Sequence, residues 1–175
     1  PIAKYQQYFP YSNGRRWEWF VSWFERGIPM ARSVYTEFIV GLKRLNNKQN
    51  YYRISCKTRH LGSGQDPSWS EWYYRVDDKG IFRRRGELAS DELYIPFPLE
   101  KGKTWSITQG SSASTYKVEG FETVRVKGRS YRDCLKIVSS TKSANSNNNT
   151  EAVTYYARGI GRVLEVKTYK NIGYV

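Results

Sequence analysis

Few side chains here are equipped for chemistry. The chain carries one histidine, His60, and two cysteines, Cys56 and Cys134. A Ser-His-Asp relay would have to use His60. A zinc site would have to gather His60, Cys56 and Cys134 together. His60 lies in Arg59-His60-Leu61-Gly62 beside a loop, which reads as a solvated side chain. The carboxylate pairs Asp77-Asp78 and Asp91-Glu92 fall in turns, where Asp serves the backbone. Gly62-Ser63-Gly64 lacks the helix and lysine of a phosphate loop, and Gly159-Ile160-Gly161 precedes a strand pattern. No constellation supplies a nucleophile, a base and an orienter. The sequence predicts no catalytic residue, no metal ligand set and no cofactor; a two-carboxylate glycosidase is the enzyme class this argument does not remove.

The elements that would have to position any site are strands. Short β-branched and aromatic runs alternate between turn residues, and no helical period is sustained. In Arg15–Glu25, Trp17, Trp19, Val21 and Trp23 share one face. Ser33–Leu42 follows, and Gly27-Ile28-Pro29 marks a hairpin between the two. Tyr51–Thr58 continues the meander. Trp69–Val76 puts Trp72, Tyr74 and Val76 in phase. Asp77-Asp78-Lys79-Gly80 turns it onto Ile81–Arg85, with glycine able to take positive φ. Residues 86–93 hold the one weak helical pattern. Further strands are expected at 105–108, 115–119, 122–127, 131–139, 151–157 and 162–169, with 143–150 an exposed hairpin tip. Cys56 shares a strand face with Tyr52 and Ile54, while Cys134 opposes Leu135 and Ile137. A Cys56–Cys134 disulfide is therefore the lesser of two readings.

The fold expected is all-β: one strongly curved antiparallel sheet or half-open barrel of roughly ten strands, with little helix. At 175 residues, 39% of them apolar, the chain suffices for a single domain. Phe9-Pro10-x-x-x-Gly14-x-x-Trp17 recurs as Phe97-Pro98-x-x-x-Gly102-x-x-Trp105. Proline ends a segment, glycine turns, and tryptophan anchors the next strand. The echo divides the sheet into two halves near 89–101.

Charge and rings point to binding. Lys and Arg total 29 against 16 acidic residues, a net charge of +13, and the pI is near 9.8. Such a field draws anions: an acidic protein, a lipid headgroup, a glycan or nucleic acid. Nucleic acid ranks low, because the cations are not grouped with ring pairs. Six Trp and fifteen Tyr exceed the needs of one core. Trp17, Trp19, Trp23, Trp72 and Tyr74 are the candidate rings of a concave binding face. In the turn after Tyr155-Tyr156-Ala157, Gly159 and Gly161 need positive φ. Arg158 and Arg162 are expected to project from it as a basic pair, with Tyr155 or Tyr156 beneath one guanidinium.

Gly120-Phe121-Glu122-Thr123-Val124-Arg125-Val126, Tyr131-Arg132-Asp133-Cys134-Leu135-Lys136-Ile137 and Tyr155-Tyr156-Ala157-Arg158-Gly159-Ile160-Gly161-Arg162-Val163 follow the two Phe-Pro motifs in order. In this arrangement the chain, from Tyr8 to about Val166, resembles the TapB-like family of bacterial extracytoplasmic proteins and lipoproteins, itself similar to LolA/LolB-type carriers. The resemblance implies a curved antiparallel sheet or incomplete barrel and no catalytic residue. Arg158 and Arg162 depart from the family's closing turn. The expected function is non-enzymatic: an extracytoplasmic envelope protein, with a processed N-terminus, that binds an apolar or anionic partner as carrier or accessory subunit. A peripheral membrane position fits; a transmembrane segment does not, since no apolar run is long enough. The alternatives are a carbohydrate-binding module and a nucleic-acid-binding protein.

Overall fold

The computed structural model describes residues 3–12, 14–25, 28–62, 64–144 and 148–171. For residues 3, 19, 20, 22, 23, 25, 29–32, 148, 170 and 171 the description covers the backbone alone. A short helix α1 (Ala3–Gln6) leads into β1 (Arg16–Glu25), β2 (Ile28–Arg44), β3 (Asn50–Leu61), β4 (Ser68–Val76), β5 (Gly80–Arg84) and β6 (Glu92–Pro96). Then come β7 (Thr104–Gln109), β8 (Ser112–Val126), β9 (Arg129–Ser143), β10 (Asn148–Ala157) and β11 (Gly161–Asn171).

The first six strands pair antiparallel in sequence order, β1 through β6, and so do the last five, β7 through β11. One parallel pairing, β1 with β11, joins the two meanders into an eleven-stranded sheet. The sheet is open, with β6 and β7 at its two edges. The expected all-β curved sheet is the observed fold, with eleven strands for roughly ten. The weak helical pattern at 86–93 is not a helix: 85–90 is turn and Glu92 opens β6. The strands expected at 115–119 and 122–127 are one strand, β8, bent at bulges around Gly120 and between Glu122 and Val124.

Curvature brings the edges within side-chain reach. Trp105 Nε1 donates to the Tyr94 carbonyl at 3.0 Å, and Gln109 Nε2 reaches both Glu92 oxygens at 2.9 and 3.0 Å. Inside the curl, Ile39, Ile54, Tyr74, Ile81, Val118, Leu135 and Ile137 make the core. The N-terminal segment fills one end. Tyr8 is fully buried; Tyr5 stacks on Phe97, Phe9 tilts against Tyr156, and Tyr11 stacks on Tyr74. Gly159 N–H donates to the Gln7 carbonyl at 2.7 Å, holding the segment in place.

The two Phe-Pro motifs dock alike. Gly14 N–H donates to the Ile39 carbonyl, and Ile39 N–H to the Arg15 carbonyl. Gly102 N–H donates to the Val118 carbonyl, and Val118 N–H to the Lys103 carbonyl. A register shift at glycine, Gly41 or Gly120, follows each docking residue. The Asp77–Gly80 turn closes through Asp77 N–H on the Gly80 carbonyl at 3.0 Å. Gly80 is required by space as well as by its φ of +148°: a Cβ there would lie 2.2 Å from the Ile95 carbonyl oxygen.

On the outer face, Tyr51 and Tyr73 are buried beneath the turn after β5. Tyr51 OH donates to Asp91, which also accepts from Arg84 Nε at 2.5 Å and Arg75 Nη2 at 3.3 Å. The Asp91-Glu92 carboxylates thus serve structure.

Candidate functional site

At the end of the curl away from the N-terminal segment lies a cavity of about 360 Å³. Strands β9, β10 and β11 form one wall as four rungs. Tyr156–Arg162, flanked by buried Leu135, is followed by Ile137–Thr154–Glu165, Ser139–Ala152–Lys167 and Thr141–Thr150–Tyr169. The wall passes from apolar to hydroxyl-bearing toward the mouth, with charge on its β11 side. Opposite stands the seam: Trp105 stacks on Tyr116 at 5.2 Å and 10°, and Tyr94 meets Tyr116 edge-on at 6.4 Å.

The charged groups are tightly held. Arg162 Nη1 donates to Glu165 Oε2 at 3.1 Å, and Nη2 to the Tyr156 hydroxyl at 3.3 Å. Lys167 Nζ lies 2.7 Å from Glu165 Oε1. Burial alone would push the Glu165 carboxyl up, but Arg162 and Lys167 together hold it below the usual carboxylate range. Burial also opposes the charge of Arg162; Tyr156 and Glu165 outweigh it and keep the guanidinium a cation. Glu37, across the sheet on β2, has its carboxyl raised by burial against the opposing pull of Arg162. Burial and then Tyr94 push the Tyr116 phenol up to about 12. Glu165 thus bonds two cations at the cavity.

The candidate rings lie elsewhere. Trp17 faces inward as expected, but its ring is buried against the edge of Tyr11, in the filled end. Tyr74 is buried beside Tyr11, and Trp72 packs against the core under Arg83 and Arg85. None of the three lines the 360 Å³ cavity. The side chains of Trp19 and Trp23 lie outside the described residues. The N-terminal segment displaces the expected site: it has no strand pattern, so its four rings were not read as occupants of the concave face.

The closing turn corrects another expectation. Gly159 and Gly161 take φ of +66° and +100°, and Arg162 lies over Tyr156 at 5.5 Å, as expected. Arg158 and Arg162, however, are not an outward basic pair. Arg158 is exposed and its Nε donates to the Tyr8 hydroxyl at 2.9 Å. Arg162 is turned into the curl. The register shift between Tyr155 and Tyr156 sets Arg162 opposite Tyr156, on the inner face.

Tyr35, Tyr94, Tyr116, Glu165 and Lys167 were not singled out by sequence reasoning, and Trp105 was read as a strand anchor only. The available signal was on β11. Leu164 and Val166 alternate with Glu165 and Lys167, and here the polar set faces inward. An alternating strand is ordinarily read apolar-in.

Other chemistry is closed off or structural. Ser33 Oγ lies 2.8 Å from His60 Nδ1, but Ser33 is fully buried and cannot meet a substrate. Cys56 and Cys134 are free and buried, and burial with Glu37 pushes the Cys56 thiol up to about 11. Among the described residues no group of three His, Cys, Asp or Glu is placed to hold a metal ion, and no helix is long and apolar enough to cross a membrane.

No protein-family model matches the chain, and neither a curated protein nor a solved structure matches it.

Proposed function

We propose that this is a non-enzymatic, extracytoplasmic binding protein that carries a small anionic amphiphile in the cavity of its curved sheet. The observation that carries the reading is the pairing of an aromatic seam with a cationic wall in one space. Trp105, Tyr116 and Tyr94 offer ring faces and edges to an apolar body. Arg162 and Lys167, both on Glu165, set positive charge at the cavity wall, which draws a ligand carboxylate, sulfonate or phosphate. The volume, about 360 Å³, is in the range of small-molecule sites. The hydroxyls of Ser139, Thr141 and Thr150 favour a sugar-bearing ligand as the second reading.

Anilinonaphthalene sulfonate combines an apolar ring system with an anion and tests the reading by fluorescence titration. Saturable one-site binding is expected, weakened about tenfold by Lys167→Met and by Tyr116→Ala, with neutral naphthalenemethanol insensitive to Lys167→Met. Absent saturation, or a titration unchanged in both variants, would overturn the proposal.

A further inference from the structure

The outer face of β1–β4, around Arg16, Phe38, Lys57 and Trp69, carries accessible rings and cations. Trp69 is 59% exposed and lies along Phe38, with ring centres 6.4 Å apart and planes at 22°. Lys57 Nζ sits 5.2 Å from the Trp69 ring, and the Arg16 guanidinium 5.0 Å from the Phe38 ring. Arg59, exposed, continues the Lys57 row two residues along β3.

Arg16 also lines a cleft of about 390 Å³ beside this patch. The cleft exists because the β8–β9 hairpin folds back over β10 and β11, packing Val124 and Tyr131 against Ala157 and Val163. Lys127 and Arg129, at the hairpin end, face Arg16 across it, Arg162 reaches it from within the curl, and among the described residues Glu18 is the one acid in its lining. Glu18 lies 3.7 Å from Arg16 with both side chains about half exposed, a weak pairing. The nearest other acid on this face, Glu71, is held by Arg53 at 2.7 Å. A basic cleft therefore adjoins an exposed aromatic platform, with Arg16 belonging to both.

We propose that this strip docks the protein onto the surface of an anionic lipid bilayer. A headgroup phosphate takes the cleft between Arg16, Lys127 and Arg129, and Trp69 with Phe38 enters the interfacial layer beside it. Cations attract such a leaflet, and tryptophan rings are at home at headgroup level. An acidic protein would also cover the rings and cations and is an outcome of the test; the bilayer is favoured because a tryptophan flanked by cations matches a headgroup-level anchor.

The test is co-sedimentation of the full chain with vesicles of phosphatidylcholine alone and with added phosphatidylglycerol, alongside soluble glycerol phosphate and polyglutamate. Binding to the anionic vesicles alone is expected, and should weaken as salt rises. Arg16→Ser with Arg129→Ser should weaken it on the order of 20-fold, about fivefold per cation. Trp69→Ala should weaken it roughly tenfold. All three side chains are exposed, so unchanged circular dichroism is expected; Trp69→Gln is the second variant should Trp69→Ala not fold. Equal binding to both vesicles, or none, overturns the proposal. So does glycerol phosphate or polyglutamate binding as tightly as anionic vesicles with Trp69→Ala inert, which would identify a free phosphate ester or an acidic protein. Arg16, Trp69 and Arg129 do not line the cavity, so an unaltered naphthalene sulfonate titration in these variants separates this proposal from the one above.

Discussion

The indole of Trp105 donates its N–H to the backbone carbonyl of Tyr94 at 3.0 Å, so a side chain on one edge strand takes the place of a ladder bond on the other. The gap between β6 and β7 is thereby bridged without being zipped, and the same two residues line the cavity. Trp105→Phe keeps a ring and removes the donor. It should cost about 1 kcal/mol in urea unfolding, a net hydrogen bond's worth. The melting temperature should fall by roughly 2–4 °C for a chain of this size.

Two glycines in one turn should behave differently. Gly159 has φ of +66° and open space where a Cβ would stand. Gly159→Ala should cost only the left-handed conformation, ~1 kcal/mol. At Gly161, φ is +100° and a Cβ would lie 2.8 Å from Trp17 Nε1, whose ring is buried. Gly161→Ala adds overpacking to strain and should cost ~2–4 kcal/mol by equilibrium unfolding.

The two arginines of that turn should separate as sharply. Arg162→Leu takes one of two cations from Glu165, 6% exposed, and leaves Lys167 on it, and should destabilise by ~1.5–3 kcal/mol. Arg158→Ser removes one exposed bond to Tyr8, whose hydroxyl still donates to the Asp133 carbonyl, and should cost under ~1 kcal/mol. Denaturant midpoints of the two variants check this.

Glu165 and Glu37 should give opposite pH signatures. The folded Glu165 carboxyl is held below its ordinary value by Arg162 and Lys167, against burial. Its contribution is complete above the unfolded value near ~4.3 and is lost as the pH falls from there through the folded value. Glu37 is raised by burial, so its charge costs stability above its folded value and nothing below the unfolded one. In thermal melts from acid to neutral pH, Glu165→Gln should lower the neutral melting temperature, and the deficit should shrink in acid. Glu37→Gln should raise it at neutral pH, with the gain gone below ~4.

Where local pattern and tertiary placement agree, the residues announced their roles. Trp72, Tyr74 and Val76 alternate and face inward, Asp77–Gly80 turns, and Gly161 takes positive φ. The site was less legible because its position depends on events that leave no periodic mark. Tyr5, Tyr8, Phe9 and Tyr11 belong to a segment with no strand pattern, yet they occupy the end of the curl where Trp17 and Tyr74 looked available. A single register shift at Tyr155/Tyr156 decides that Arg162 points in. On β11 the ordinary rule is inverted: Glu165 and Lys167 face the interior because that interior is an open, polar cavity.

The parallel pairing of β1 with β11 has a bearing on how the molecule is made. The covalent chain links the halves at the sheet's outer edges, β6 to β7, whereas hydrogen bonds link them in the middle. The central seam therefore unites strands separated by nearly the whole described sequence, the kind of distant contact that slows folding. Until β11 arrives, β1 is a raw edge rich in tryptophan and phenylalanine, open to pairing with another chain. A refolding yield that falls steeply with protein concentration is the signature this topology carries.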